Sequence, residues 1–298
     1  MPDNITVAFV QEYKANTEML LQQEGSRLRD KVMTSSHVGK AASIVEQFGS
    51  ATAQEKTGRH SDTPLLDLSQ DKRWVFPTDI EWASLIDNED QLRALVDLTS
   101  PYARAGAAAM NRKIDDIVLA AMFGTNYTGE NGTATESFGT LGSGTYDVGV
   151  NTGGTASYLN VAKLKAGIRI LMTANKGELT EAVHGAISSY EHDSLLSEFQ
   201  IVSKDYGSPQ GVLENGRVTR FMGVNFVITE RLAITSGDRL IPLWLKSGMN
   251  LGVWNDIKAE VTKRADKSYA TQVYLGMTVG ATRTQLGKLV RISCNDQI

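Results

Sequence analysis

The sequence predicts an α+β fold organised on one long helix, with an α/β unit inserted between two parts of the domain that carries it. Three observations predict it. Residues 100–124, SPYARAGAAAMNRKIDDIVLAAMFG, read as a helix with both ends written in. Upstream, two extended limbs flank a charged tip. Downstream, helices and strands alternate over 160–250, and strands alone follow.

The chain has 298 residues and is 41% hydrophobic, enough for one large or two ordinary domains with a real core. Its net charge of −4 is close to neutral for that size and argues against avid, non-specific nucleic-acid binding. The single cysteine, Cys294, forbids an intrachain disulfide and fits a reducing compartment. The opening MPDNITVAFVQEYK lacks a charged stretch followed by an apolar run, so no signal peptide is expected. No run approaches the length of a membrane span.

Residues 9–33 have a helical spacing of Val10, Tyr13, Thr17, Leu20, Leu21, Leu28 and Val32, with Gly25 weakening the middle. They form an amphipathic arm, suited to its own domain or to a neighbour. Residues 40–83 read as a long two-stranded loop with its charged tip at 54–72. In its second limb Trp74, Phe76, Thr78, Ile80 and Trp82 share one face, while Arg73, Val75, Pro77, Asp79 and Glu81 share the other. Pro77 cannot donate to a ladder, so the limb is an edge or bends there. A lone hairpin is marginal in water. This one either folds onto its own domain or reaches another subunit.

Residues 87–97 read as a turn and short helix. In the long helix, Ser100 suits the N-cap, Pro101 the first turn and Gly124 a left-handed residue after the end. Residues 101–123 span roughly 35 Å at ~1.5 Å per residue. The alanines between 103 and 109 keep that half slim, so other backbone can come close. Residues 125–154, rich in Gly, Thr, Ser and Asn, read as an irregular loop. Asn160 caps a helix with the stripe Val161, Leu164, Ile168 and Leu171, ended by Gly177. A strand follows over 181–187. A second helix begins with the capping box Ser188…Glu191. A hairpin turns at Gly223, and 239–245 is a further strand. Segments 249–261 and 269–292 read as strands that rejoin the layer of the long helix.

Chemistry is hard to find in this chain. His37, His60, His184 and His192 form no metal pair, and one cysteine cannot build a zinc site. Gly39-Lys40 lacks the rest of a P-loop, and GTLGSGT at 139–145 matches neither GxGxxG nor GxSxG. Asp115 and Asp116 sit on the helix beside Arg112 and Lys113, natural partners for Asp115. No carboxylates converge on a pocket as acid–base catalysis requires. No enzyme, cofactor or metal is expected.

The order of arm, two-stranded loop, spine helix, inserted α/β unit and returning strands resembles the major capsid protein of tailed double-stranded DNA bacteriophages. FPTDIEWASLIDNEDQLRALVDLTSPYARAGAAAMNRKIDDIVLAAMFG looks like that family's passage from extended loop into spine helix, with Arg112, Asp115 or Asp116, and Gly124 matching its closing pattern. RFMGVNFVITERLA looks like its axial-domain strand, and YATQVYLGMTVGATRTQLGKLVRI like its closing strands. The resemblance implies an N-terminal arm at 1–39, an extended loop at 40–83, a peripheral domain at 84–155 with its spine helix at 101–123, an axial domain at 156–250, and peripheral return strands at 251–298. It implies a subunit of an icosahedral head in the virion, assembled in the host cytoplasm as hexamers and pentamers around packaged double-stranded DNA. A separate scaffolding protein, a portal and a decoration protein are implied partners, and no membrane. Candidate intersubunit contacts are Arg59, Leu65, Leu66, Lys72, Arg73, Trp74, Phe76 and Trp82 on the loop, with Tyr13 and Leu20 on the arm. An encapsulin-like compartment shares the architecture and would need cargo. An α/β enzyme is the rival of a different class.

Overall fold

The computed structural model describes residues 22–40, 42–49, 67–87, 99–139, 144–198 and 217–296, with positions 52, 53, 55, 58, 59, 65 and 141. Tyr13, Leu20, Leu66, about half of the loop tip and nearly all of the short helix expected near 87–97 lie outside the described residues.

The expected helix over 9–33 does not run through its described end. Residues 22–28 are irregular, Arg29–Lys31 make one 3-10 turn, and β1 (Met33–Ser36) is a strand. Gln22–Ser26 has no apolar side chain to hold a helical face on a core, and Gly25 adds backbone entropy. β2 (Ala42–Phe48) pairs antiparallel with β3 (Gln70–Val75), forming the base of the predicted loop. The second limb then breaks at Phe76–Pro77 before β4 (Thr78–Ile86). The break changes which face is inside. Arg73 and Val75 are buried in β3, whereas Ile80, Trp82 and Ile86 point inward in β4. Trp74 and Trp82 therefore do not share one continuous face. Proline's missing N–H explains the interruption.

The spine helix α1 runs over Thr99–Phe123. It starts before Ser100, which lies inside the first turn. Gly124 is not left-handed as expected. Its N–H extends the helix ladder to the Ala120 carbonyl at 2.9 Å, and a Cβ there would sit 2.8 Å from the same oxygen. Close approach, not handedness, requires the glycine.

Residues 125–154 are more ordered than their composition suggests. β5 (Asn126–Thr128) and β6 (Ala134–Glu136) extend the hairpin into a sheet of order β2-β3-β5-β6, and β7 (Asp147–Val148) joins another. Backbone pairing needs no large apolar side chains, so composition understated it.

α2 (Val161–Ala174) is capped by Asn160, whose side chain accepts from the Lys163 N–H at 2.8 Å. β8 (Val183–Ile187) leads into α3 (Ser189–Ser197), and the Glu191 carboxylate accepts from the Ser188 N–H at 3.1 Å and from its hydroxyl. β9 (Arg220–Phe221) and β10 (Val224–Ile228) turn at Met222 and Gly223, both with positive φ. β11 (Ile234–Thr235) and β12 (Asp238–Leu245) follow, then β13 (Met249–Arg264), β14 (Ala270–Arg283) and β15 (Leu289–Asn295).

The return of the chain differs from expectation. β13 and β14 enter the sheet β1-β13-β14-β4, but β15 lies in the α/β unit, in the order β7-β15-β12-β8-β10-β9. Ile292 of β15 is opposite Ile241 of β12, and both are fully buried. A strand paired on both sides and covered on both faces reads as a continuous apolar run, as Leu289–Cys294 nearly does. Its one charge, Arg291, is met by Asp147 at 2.6 Å. Gly167 of α2 makes room above this sheet, because a Cβ there would lie 2.8 Å from Leu243 and 3.2 Å from Ile292.

The chain divides into two compact units. One draws on the described parts of Met1–Ser26, Asp79–Lys113 and Asn255–Thr278; the other on those of Arg27–Thr78, Ile114–Trp254 and Val279–Ile298. In the first, the slim half of α1 packs as its alanines and glycine suggest. A Cβ on Gly106 would lie 2.6 Å from Leu275 and from the Trp82 ring. In the second, Ile114, Val118 and Met122 bury the lower face of α1, spaced one turn apart.

Candidate assembly interface

The loop is set on a polar foundation. Arg73 of β3 is buried, pairs with Glu136 of β6 at 3.0 Å, and donates to the Thr284 carbonyl at 3.1 Å. Trp74 points the other way, half-buried, with its indole N–H donating to the Gly129 carbonyl at 2.8 Å. Its ring lies against Gly132, whose φ of +68° and missing Cβ are both required there. Asp71 accepts from the Gly129 N–H at 2.9 Å. Gln47 of β2 donates to the Thr284 carbonyl at 2.6 Å. These contacts tie both limbs to the β5–β6 hairpin and to the end of β14.

Arg283 organises the point where these elements meet the spine. It is fully buried, and its guanidinium donates to the carbonyls of Met122 at 2.9 Å, Gly124 at 2.6 Å and Glu136 at 3.2 Å. A cation is favoured at a helix C-terminus, where carbonyls lack intrahelical partners. Burial pushes its pKa down to about 10, with Glu136 opposing that shift and Arg73 adding to it. Asn126 braces the same place, donating to the Arg283 carbonyl at 2.9 Å.

The middle of the spine is held by the acidic pair. Asp115, fully buried, accepts the backbone N–H groups of Arg27 at 3.0 Å and Leu28 at 3.1 Å, a long-range partnership invisible to sequence neighbours. Asp116 makes a bidentate pair with Arg231 at 2.5 Å.

Of the candidate contacts, Arg59 and Leu65 are exposed, Leu65 at 95%. Phe76 is 41% exposed and meets Tyr127 edge-on, with ring centroids 4.9 Å apart. Lys72, Trp74 and Trp82 are half-buried, and Arg73 is inside. Arg283, Asn126 and Glu136 escaped the sequence reading. The one available signal was a charged residue inside the otherwise uncharged, small-residue stretch TVGATRT. Among the described residues no group of three or more His, Cys, Asp or Glu side chains could hold a metal, and no helix is long and apolar enough to cross a membrane.

The chain matches the family model described as phage capsid protein over residues 5–296. It belongs to the phage capsid protein family. Solved capsids share its fold. The capsid of the cyanophage P-SCSP1u is 13% identical, with a TM-score of 0.74 over 98% of this chain and 95% of that one. The capsid protein of the cyanophage Pam1 is 12% identical, with a TM-score of 0.70 over 98% and 97%. A Mycobacterium phage Che8 structure is 14% identical, with a TM-score of 0.67 over 95% and 97%. No curated protein matches by sequence. This capsid protein is a structural subunit of a phage head, a component of the virion shell and not an enzyme.

Proposed function

We propose that this capsid protein builds an icosahedral head from hexamers and pentamers around packaged double-stranded DNA, and that its 40–83 loop lies over a neighbouring copy. The observation that carries the loop's role is a β2–β3 base anchored through its neighbours, with an apolar residue of the tip and one at the end of β3 left exposed. Arg73 and Trp74 anchor the base, while Leu65 and Phe76 stay exposed. An isolated hairpin this long needs a surface to lie on. Arg59, Leu65, Leu66, Lys72 and Phe76 are the proposed contacts of the loop, Tyr13 and Leu20 those of the arm at 1–39. Residues 156–250, completed by β15, form the axial unit around capsomer centres; residues 84–155 with β13 and β14 form the peripheral one. Many weak contacts per subunit add up to a stable shell. A net charge of −4 suits a wall that encloses DNA without condensing it. A separate scaffolding protein, a portal and a decoration protein complete the set of partners.

Deleting 54–67 tests this, because it leaves β2 and β3 paired. The variant should remain a soluble, folded subunit by circular dichroism and yield few or no particles by sedimentation. Particles at the full-length yield would refute the loop's intersubunit role.

A further inference from the structure

α2 buries one side and leaves the other open. Its stripe of Val161, Leu164, Ile168 and Leu171 is buried, while Lys165, Arg169 and Met172 are exposed. Lys165 and Arg169 stand one turn apart on the same face, where like charges repel. The helix contains no Asp or Glu, and among the described residues neither cation makes an ion pair. The Thr173 hydroxyl turns back to donate to the Arg169 carbonyl at 2.9 Å.

Beside this face, β9 and β10 are joined by the two-residue turn Met222-Gly223, with φ of +50° and +80°. Such a turn favours Asn, Asp or Gly at its first place, because a bulky side chain is strained in the left-handed region. Here that place holds a methionine that is 39% exposed. A residue kept in a costly conformation points to a use for its side chain. Met222 lines a cleft of about 290 Å³ together with Lys165, Ile168, Arg169 and Met172. The lining is mostly apolar, with two cations and no carboxylate.

We propose that this cleft docks a short acidic amphipathic segment of a partner protein, an apolar side chain entering beside Met172 and Met222 and carboxylates pairing with Lys165 and Arg169. Methionine suits the role, since its flexible thioether adapts to the shape it meets. An apolar anchor on one face of a helix is the usual way such grooves are filled, and the unpaired cations select acidic flanks. The cleft's size selects a segment over a second copy of this chain, because a face shared by two copies buries far more surface. Exposed ion pairs add little affinity and are screened by salt, so the docking is reversible.

The test is fluorescence anisotropy of the full chain with a fluorescein-labelled amphipathic peptide, leucines along one helical face and glutamates flanking them. A second peptide carries lysines in place of the glutamates. The glutamate peptide should bind about tenfold more tightly than the lysine peptide, and less tightly as salt is raised. Met222→Asn puts a favoured residue in the turn, so this variant should melt no lower than the wild type while binding the glutamate peptide about tenfold more weakly. Lys165→Glu with Arg169→Glu should reverse the preference between the two peptides. Failure of the glutamate peptide to bind, equal binding of both peptides, or full binding by the Met222→Asn variant would overturn the proposal. Self-association of the chain that Met222→Asn abolishes would overturn it too, by assigning the cleft to a second copy.

Discussion

Arg283 shows how one buried charge can hold an architecture together. It answers the last carbonyls of α1, so removing it strands several acceptors in a dry site. Arg283→Met should cost on the order of 3 kcal/mol of subunit stability in urea unfolding, and Arg283→Lys should recover part of it as a point charge without the planar fork. A Met variant as stable as the wild type would show that water reaches these carbonyls. His184 carries a different test. Its ring lies 5.9 Å from the Trp244 ring, and burial, then Lys31 and Lys246, push its pKa below the ordinary 6.5. The folded state then binds fewer protons than the unfolded chain as pH drops through 6.5 toward the folded value. This contribution is intact at neutral pH and is lost on acidification. His184→Gln should flatten the fall in stability between pH 7 and pH 5; an unchanged slope would assign it to other groups, His37 among them.

At the scale of elements, α1 was legible as a helix although Ser100 and Gly124 do not play the end roles read for them, and the capped helices were legible because their signals are local. Asn160, the Ser188…Glu191 box, Gly177 and the Gly223 turn all stand where their residue types place them. The break in the second limb was half legible. Pro77 announced it, but which face would be buried on each side depended on partners distant in sequence. The short strands β5 and β6 were missed because backbone pairing leaves little trace in composition. Gly106 gives the element-scale prediction. Alanine is the better helix former by about 1 kcal/mol. Its Cβ would nonetheless sit 2.6 Å from Leu275 and Trp82. Gly106→Ala should therefore destabilise the subunit by about 1–3 kcal/mol. A stabilised variant would mean that the Trp82 ring has room to move aside.

For the whole molecule, the sequence revealed the order of parts better than their final pairing. β15 was expected beside the spine and lies in the sheet of the α/β unit instead, because pairing with β12 joins segments separated by an entire hairpin. The Asp115 and Arg283 contacts escaped for the same reason, since their partners are 87 and 159 residues away. What remained visible in the sequence was an amphipathic arm and a long two-stranded loop, with no recognised catalytic motif. The measurement that tests this account most directly is electron microscopy of the purified chain, produced alone and with the proposed scaffolding protein. Closed particles, or isolated rings of five and six, are the predicted result. A chain that stays monomeric or dimeric under both conditions would contradict it.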